Sequence, residues 1–165
     1  MPLLVRYPGQ AARTDTHLIS NVDHAATIAE LAHAVSALPQ DGRSFLHFVD
    51  PSVPGGTRWR TRLLQHWSGG DAMGRAGRPD SFPQFWSVVT ADGWKYVELD
   101  TGERELYDGR ADPYELVNQA GRPAHARRQA DLARDLARLK AAAGASAFGR
   151  NTMQPVPGVL GPDLD

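Results

Sequence analysis

The chain has 165 residues, 22% of them charged, with a formal charge of −1 and no cysteine. That length suits one ordinary domain. The near-zero charge argues against a nucleic-acid or acidic-membrane partner, and the missing cysteine excludes disulfides and thiolate metal sites.

No apolar run reaches membrane-spanning length. In chain order, Leu3-Leu4-Val5 within residues 2–7 reads as a buried strand stopped at Pro8-Gly9. Such a strand needs neighbours on both sides to satisfy its backbone groups. Ser20 or Asn21 then caps a helix, with Ser20 and Asp23 spaced as in a capping box. The expected apolar face of this helix is Ile28, Leu31, Ala32 and Val35, and Leu38-Pro39 ends it. His24 and His33 fall about two and a half turns apart within it, so they face different ways and make no metal pair. Asp41 to Gly56 is turn-rich around the apolar run Phe45 to Val49.

Trp59 to Trp67 reads as a strand, with Leu63, Gln65 and Trp67 on one face and Leu64 and His66 on the other. A long polar loop, Ser68 to Pro83, follows. Phe85–Thr90, Trp94–Leu99 and Glu103–Tyr107 complete an antiparallel sheet of about four strands. Asp92-Gly93 and Asp100-Thr101-Gly102 supply the turns between them. Asp108-Gly109 and Asp112-Pro113 break the extended pattern. Pro123 opens a final helix with an apolar stripe of Leu132, Leu136 and Leu139. Arg127, Arg128, Arg134, Arg138, Asp131 and Asp135 lie on its other, solvated faces. Gly144 ends it, and the Gly- and Pro-rich tail to Asp165 is expected to be poorly ordered.

Patterns that carry chemistry are scarce. G-x-S-x-G, Walker-type and H-E-x-x-H patterns are all absent. Asp23, Asp108, Asp112 and Glu115 stand where a structural role is the default, since Asp side chains bond nearby backbone in caps and turns.

The wording of four segments adds what periodicity does not. They are Met1-Pro2-Leu3-Leu4-Val5-Arg6-Tyr7-Pro8-Gly9; Ser20-Asn21-Val22-Asp23 with Ala26-Thr27-Ile28; Asp41-Gly42-Arg43-Ser44; and the run from Lys95-Tyr96-Val97-Glu98 through Glu105-Leu106-Tyr107-Asp108 to Asp112-Pro113-Tyr114-Glu115-Leu116-Val117-Asn118. In this order they resemble the C-terminal portion of sulfatases of the alkaline-phosphatase-like superfamily, of arylsulfatase or N-acetylglucosamine-6-sulfatase type. His24 and Ala25-Ala26 depart from the family's Leu-Ala-Pro.

The resemblance implies a fold between α/β and α+β: the C-terminal fragment of an alkaline-phosphatase-like sulfatase fold, with a small antiparallel four-stranded sheet and a C-terminal helix. It implies that residues 1–56 are the end of the catalytic domain, a strand plus a helix. Residues 57–143 become the antiparallel-sheet subdomain with its packed helix, and 144–165 a flexible tail. Met1 then reads as an internal methionine, and the missing N-terminal catalytic half becomes a partner. The implied activity of the intact protein is hydrolysis of sulfate esters of sugars or aryl alcohols, with this chain inactive alone.

Such enzymes use a formylglycine made within (C/S)-x-P-x-R and a calcium ion on carboxylate and amide oxygens. Both are expected in the intact family and neither in this chain. Ser52-Val53-Pro54 and Ser81-Phe82-Pro83 begin the motif, but Gly56 and Phe85 stand where arginine is required. No Asp-Asp or Asp-Asn pair occurs. No catalytic residue and no metal ligand is therefore assigned. By resemblance, the part bordering the substrate cleft is His66 and Trp67 with the loop that follows. His66 reads as a substrate contact or a sheet-edge residue. Trp67 and Trp86 read as platforms for a sugar or aryl ring, or as packing. Gln65 stands where the family often has Glu, and Trp86 near where it often has Arg. Two other readings are a phosphonate or phosphodiester hydrolase of the same superfamily and a non-catalytic module that binds a partner chain.

Overall fold

The computed structural model describes residues 3–36, 40–55, 58–69 and 82–144. They fall into two compact units, Met1–Arg60 and Thr61–Asp165.

In the first unit the strand expected over residues 2–7 is not formed. Leu3 to Tyr7 pair with no described strand, and Leu4 is 93% exposed. A strand is made by its neighbours' hydrogen bonds, and apolarity alone does not supply them. Helix α1 spans Val22–Leu31 with Asn21 at its N-cap. Half of the expected capping box is present: Asp23 Oδ2 accepts the Ser20 N–H at 2.7 Å. The helix ends sooner than its periodicity predicts, with Ala32 as C-cap and His33 in the left-handed region at φ 51°. His33 is thus outside the helix, and the expected end at Leu38-Pro39 lies outside the described residues. The expected apolar core face is overturned as well: Ile28, Leu31 and Val35 are exposed, while Asp23 and Thr27 are buried.

Asp23 explains that inversion. Its side chain is fully buried and takes both ends of the Arg60 guanidinium. It also accepts the Arg43 N–H at 2.9 Å. Thr27 Oγ1 donates to the Asp23 carbonyl at 2.7 Å and accepts the Phe45 N–H at 3.1 Å. Two of the resembling segments, Ser20–Asp23 and Asp41–Ser44, therefore meet in one polar lock. Gly42 lies so close to Val22 that a Cβ there would overlap the Val22 carbonyl, so only glycine lets the two segments meet. Beyond the lock, Phe45 and Leu46 are buried and a one-turn helix α2 spans Leu46–Val49. Phe48 stacks on His17 at 4.0 Å and meets Trp59 edge-on at 4.9 Å, and the Trp59 Nε1–H donates to the Leu18 carbonyl.

The second unit is a four-stranded antiparallel meander in the order β1-β2-β3-β4. The strands are β1 Arg62–Trp67, β2 Phe85–Thr90, β3 Trp94–Leu99 and β4 Arg104–Asp108. Gly93 (φ 92°) and Gly102 (φ 89°) take the left-handed turn positions that their sequence promised. The strand expected from Trp59 starts only at Arg62. Of the expected loop Ser68 to Pro83, residues 70–81 lie outside the described residues.

Register puts Leu64, Val88, Tyr96 and Leu106 side by side on one face. Helix α3, Ala126–Ala142, covers that face after a 3₁₀ turn, Pro123–His125. Leu132 and Leu136 insert against Val88, Tyr96 and Leu106, all at most 1% exposed. Burying each such side chain contributes about 1.5–3 kcal/mol. The sheet with its C-terminal helix is the architecture the resemblance implied. Asp135 departs from expectation: it is buried rather than solvated, because Arg62 of β1 and Arg138 both reach it.

The segment after β4 is held by its own polar side chains. Asn118 Oδ1 accepts the Leu106 and Ala120 N–H groups at 3.0 and 2.9 Å, and Asn118 Nδ2 donates to the Arg104 carbonyl. Asp112 Oδ2 accepts the Val117 N–H at 2.8 Å, and Glu115, at φ 54°, pairs with Lys95. The Asp112-Pro113 to Asn118 wording is thus turn chemistry that seals the outer strand.

Candidate functional site

Alternation along β1 decides where the two named site residues go. His66 points to the helix-covered face and Trp67 to the opposite one, so adjacency in sequence does not bring them together. Trp67 is 38% exposed and opposes Phe85, while Gln65 on the same face accepts the Ser87 hydroxyl at 3.0 Å.

His66 lies at the centre of a cluster. Its ring stacks on Trp86 at 3.9 Å, the partner across β1 and β2. Gln84 Nε2 lies 3.3 Å from His66 Nε2. Lys140 of α3 sits 5.4 Å over the Trp86 ring and 3.9 Å from Glu98. Glu98 accepts the Tyr96 hydroxyl at 3.0 Å. Burial, with Glu98 beside it, pushes the Tyr96 phenol up to about 12. Burial first, and then the Lys140 charge, lower the His66 pKa, so its neutral ring prevails at neutral pH. Lys140→Met is expected to raise the His66 pKa, read from imidazole C–H shifts across a pH titration. An unchanged value would show that Lys140 does not act on the ring.

Trp86 is 8% exposed, so its face is spent on His66 and Lys140 and offers no platform to a sugar ring. Trp67 keeps that capacity. Reading the sequence missed Lys140, yet its spacing carried the signal: it follows Leu136 by one turn and so continues the stripe that faces the sheet.

The arrangement can bind and orient, but it offers no nucleophile paired to a base. The seryl candidates do not help: Ser52 donates to Asp50 within a local turn, and Ser81 lies outside the described residues. Among the described residues no group of three or more His, Asp or Glu could hold a metal ion. The most sheltered carboxylates are already spent on cations, Asp23 on Arg60 and Asp135 on Arg62 and Arg138. This donor set does not fit a calcium ion, which wants six or more oxygens, and no Cys or Ser-x-Pro-x-Arg exists to become formylglycine.

Comparison with known proteins supplies the context. The family model described as N-sulphoglucosamine sulphohydrolase, C-terminal, matches residues 1–142. The N-acetylglucosamine-6-O-sulfatase of Bacteroides thetaiotaomicron is 28% identical over 136 residues, which are 80% of this chain and 23% of that protein. A protein solved in complex with its substrate D-glucosamine-2-N,6-O-disulfate superposes with a TM-score of 0.60 at 24% identity, over 80% of this chain and 26% of that one. The phosphonate monoester hydrolase of Agrobacterium radiobacter superposes at 0.56 and 23% identity, over 76% and 25%. At these identities the superpositions speak for the fold alone. The chain spans about a quarter of the length of the relatives it matches.

Proposed function

The chain belongs to the N-sulphoglucosamine sulphohydrolase C-terminal family, and on that footing we propose that it serves as the C-terminal part of a hydrolase of sulfate esters on sugars or aryl alcohols. The observation that carries this reading is the family match across residues 1–142. The nucleophile and the calcium site then belong to the catalytic part that the longer relatives carry outside the matched quarter. Formylglycine and calcium supply the sulfuryl-transfer chemistry there, and this chain alone has no turnover. In this layout, residues 1–56 complete the catalytic domain, 57–143 form the sheet subdomain and 144–165 the tail.

This chain's contribution is to border the substrate. Trp67, the exposed aromatic at the end of β1, offers a face to a sugar ring. Neutral His66, steadied by Trp86 and Lys140, presents hydrogen-bonding groups on the other side of the same strand end. The phosphonate-hydrolase reading shares the fold, and no residue of this chain favours it over the sulfatase one.

The test uses a chimera: the Bacteroides thetaiotaomicron N-acetylglucosamine-6-O-sulfatase with its matched C-terminal quarter replaced by this chain. Trp67→Ala in the chimera is expected to raise KM for N-acetylglucosamine 6-sulfate by about 5–150-fold, the loss of one aromatic contact of roughly 1–3 kcal/mol, with kcat little changed. An unchanged KM would remove Trp67 from the substrate border.

A further inference from the structure

The second unit carries a charged groove that the candidate site does not use. It lies between α3 and the end of the sheet where β1 starts and β2 finishes, and its volume is about 900 Å³. Arg62, Asp92, Arg128, Asp131, Arg134 and Arg138 line it. Arg127 extends it along the helix: Arg127, Arg134 and Arg138 fall within an arc of about 40° on α3, and all three are exposed. Groove and stripe together hold five arginines against three aspartates, a surplus of two positive charges.

The aspartates orient these cations without occupying them fully. Among the described residues, Arg128 meets Asp92 at 2.8 Å, and Arg134 and Arg138 reach Asp131 and Asp135, each through one terminal nitrogen. A guanidinium has five N–H donors in a fixed fork, so each keeps an edge for an outside oxyanion. Trp94 backs Arg128, whose guanidinium lies 5.3 Å from the centre of its ring.

We propose that this face is an exosite for a sulfated polysaccharide, holding sugars beyond the one whose ester is cleaved. Forks held by carboxylates suit sulfate oxygens, which accept charge-assisted hydrogen bonds as phosphate oxygens do. Along α3 the stripe sets its charges about 10 and about 6 Å apart, which suits anions that recur sugar by sugar. The phosphates of a DNA strand recur more densely, about every 3.4 Å. The groove also stands at the opposite end of β1 from His66 and Trp67, with Arg62 about 13 Å from His66 along the strand. A single sugar at that border does not reach it; a chain of several does. The choice of a sulfated sugar rests on the proposed sulfatase reading, whereas the arginine face stands on its own geometry.

Calorimetric titration of the full chain with a sulfated heparin hexasaccharide tests it. Binding is expected, with none to the desulfated hexasaccharide. Arg127→Gln combined with Arg134→Gln touches no buried group and is expected to raise Kd about tenfold, or about 1.4 kcal/mol, as for two exposed ionic contacts. Asp131→Asn is expected to lower Kd about threefold, an opposite sign that a merely structural role would not give. Arg104→Gln, on the far edge strand β4, is expected to leave it unchanged. No binding by the folded chain, an unmoved Kd in the double variant, or comparable weakening by Arg104→Gln would overturn the proposal. Equal affinity for a DNA duplex would overturn it too, by making the face a general polyanion binder. Sulfate-dependent binding beside a chimera that releases no sulfate keeps the polysaccharide site and sinks the sulfatase reading. A working chimera beside a chain that binds no hexasaccharide does the reverse.

Discussion

Asp23→Ala is expected to destabilise the first unit by about 3–5 kcal/mol, enough to unfold it. The substitution strips partners from the Arg60 guanidinium and from the Ser20 and Arg43 N–H groups at a fully buried position. Leaving the largely sheltered Arg60 guanidinium, 15% exposed, without its carboxylate costs far more than the ion pair contributes, which sets the magnitude. Asp23→Asn keeps the shape but not the charge, so it recovers only part of the loss.

The pH dependence follows from the same contacts. Burial by itself would raise the Asp23 pKa, but Arg60 and the Arg43 and Ser20 N–H groups outweigh it and hold the carboxyl below the usual carboxylate range. A depressed folded pKa gives stability that is present above the unfolded value and lost as the pH falls through the folded one. The wild-type first unit should therefore loosen below about pH 4. Hydrogen exchange at the Ser20 and Arg43 amides reads this locally. Protection in Asp23→Ala equal to wild type at pH 7 would contradict it.

The second large effect belongs to the other unit. Leu136→Ala is expected to cost about 2–5 kcal/mol, because Leu136 is fully buried between α3 and the sheet and its neighbours cannot close the cavity. For a unit of about this size that corresponds to a fall in midpoint of roughly 10–25 °C. Exposed Leu116→Ala is the control and should change little. Denaturant unfolding of the two variants checks both numbers, and a loss below about 1 kcal/mol for Leu136→Ala would mean that the helix does not seal this core.

These two positions also mark where the sequence was legible and where it was not. Leu132, Leu136 and Leu139 could be read as a stripe because helical spacing is local information. The hairpins could be read because Asp92-Gly93 and Gly102 carry turn chemistry in their own residues. Asp23 could not: its partner Arg60 lies 37 positions away, and the pairing reverses which side of α1 is buried. Asp135 was misplaced for the same reason, with Arg62 73 positions distant. The strand expected at Leu3–Val5 failed because its pairing depends on neighbours that apolarity does not provide. At the candidate site, alternation along β1 separates His66 from Trp67 despite their adjacency in sequence, while Lys140 reaches the site from the end of its own helical stripe. The resembling segments at 20–23, 41–44 and 112–118 turn out to be locks and turns rather than chemistry.

On the proposed reading, the catalytic groups of the sulfatase lie in a segment other than this C-terminal part. Sulfate release from N-acetylglucosamine 6-sulfate, measured side by side for the free chain and the chimera, tests it most directly. Release by the chimera in the presence of calcium is expected, and none by the free chain. Turnover by the free chain, or a folded chimera that cleaves a phosphonate monoester but releases no sulfate, would contradict it.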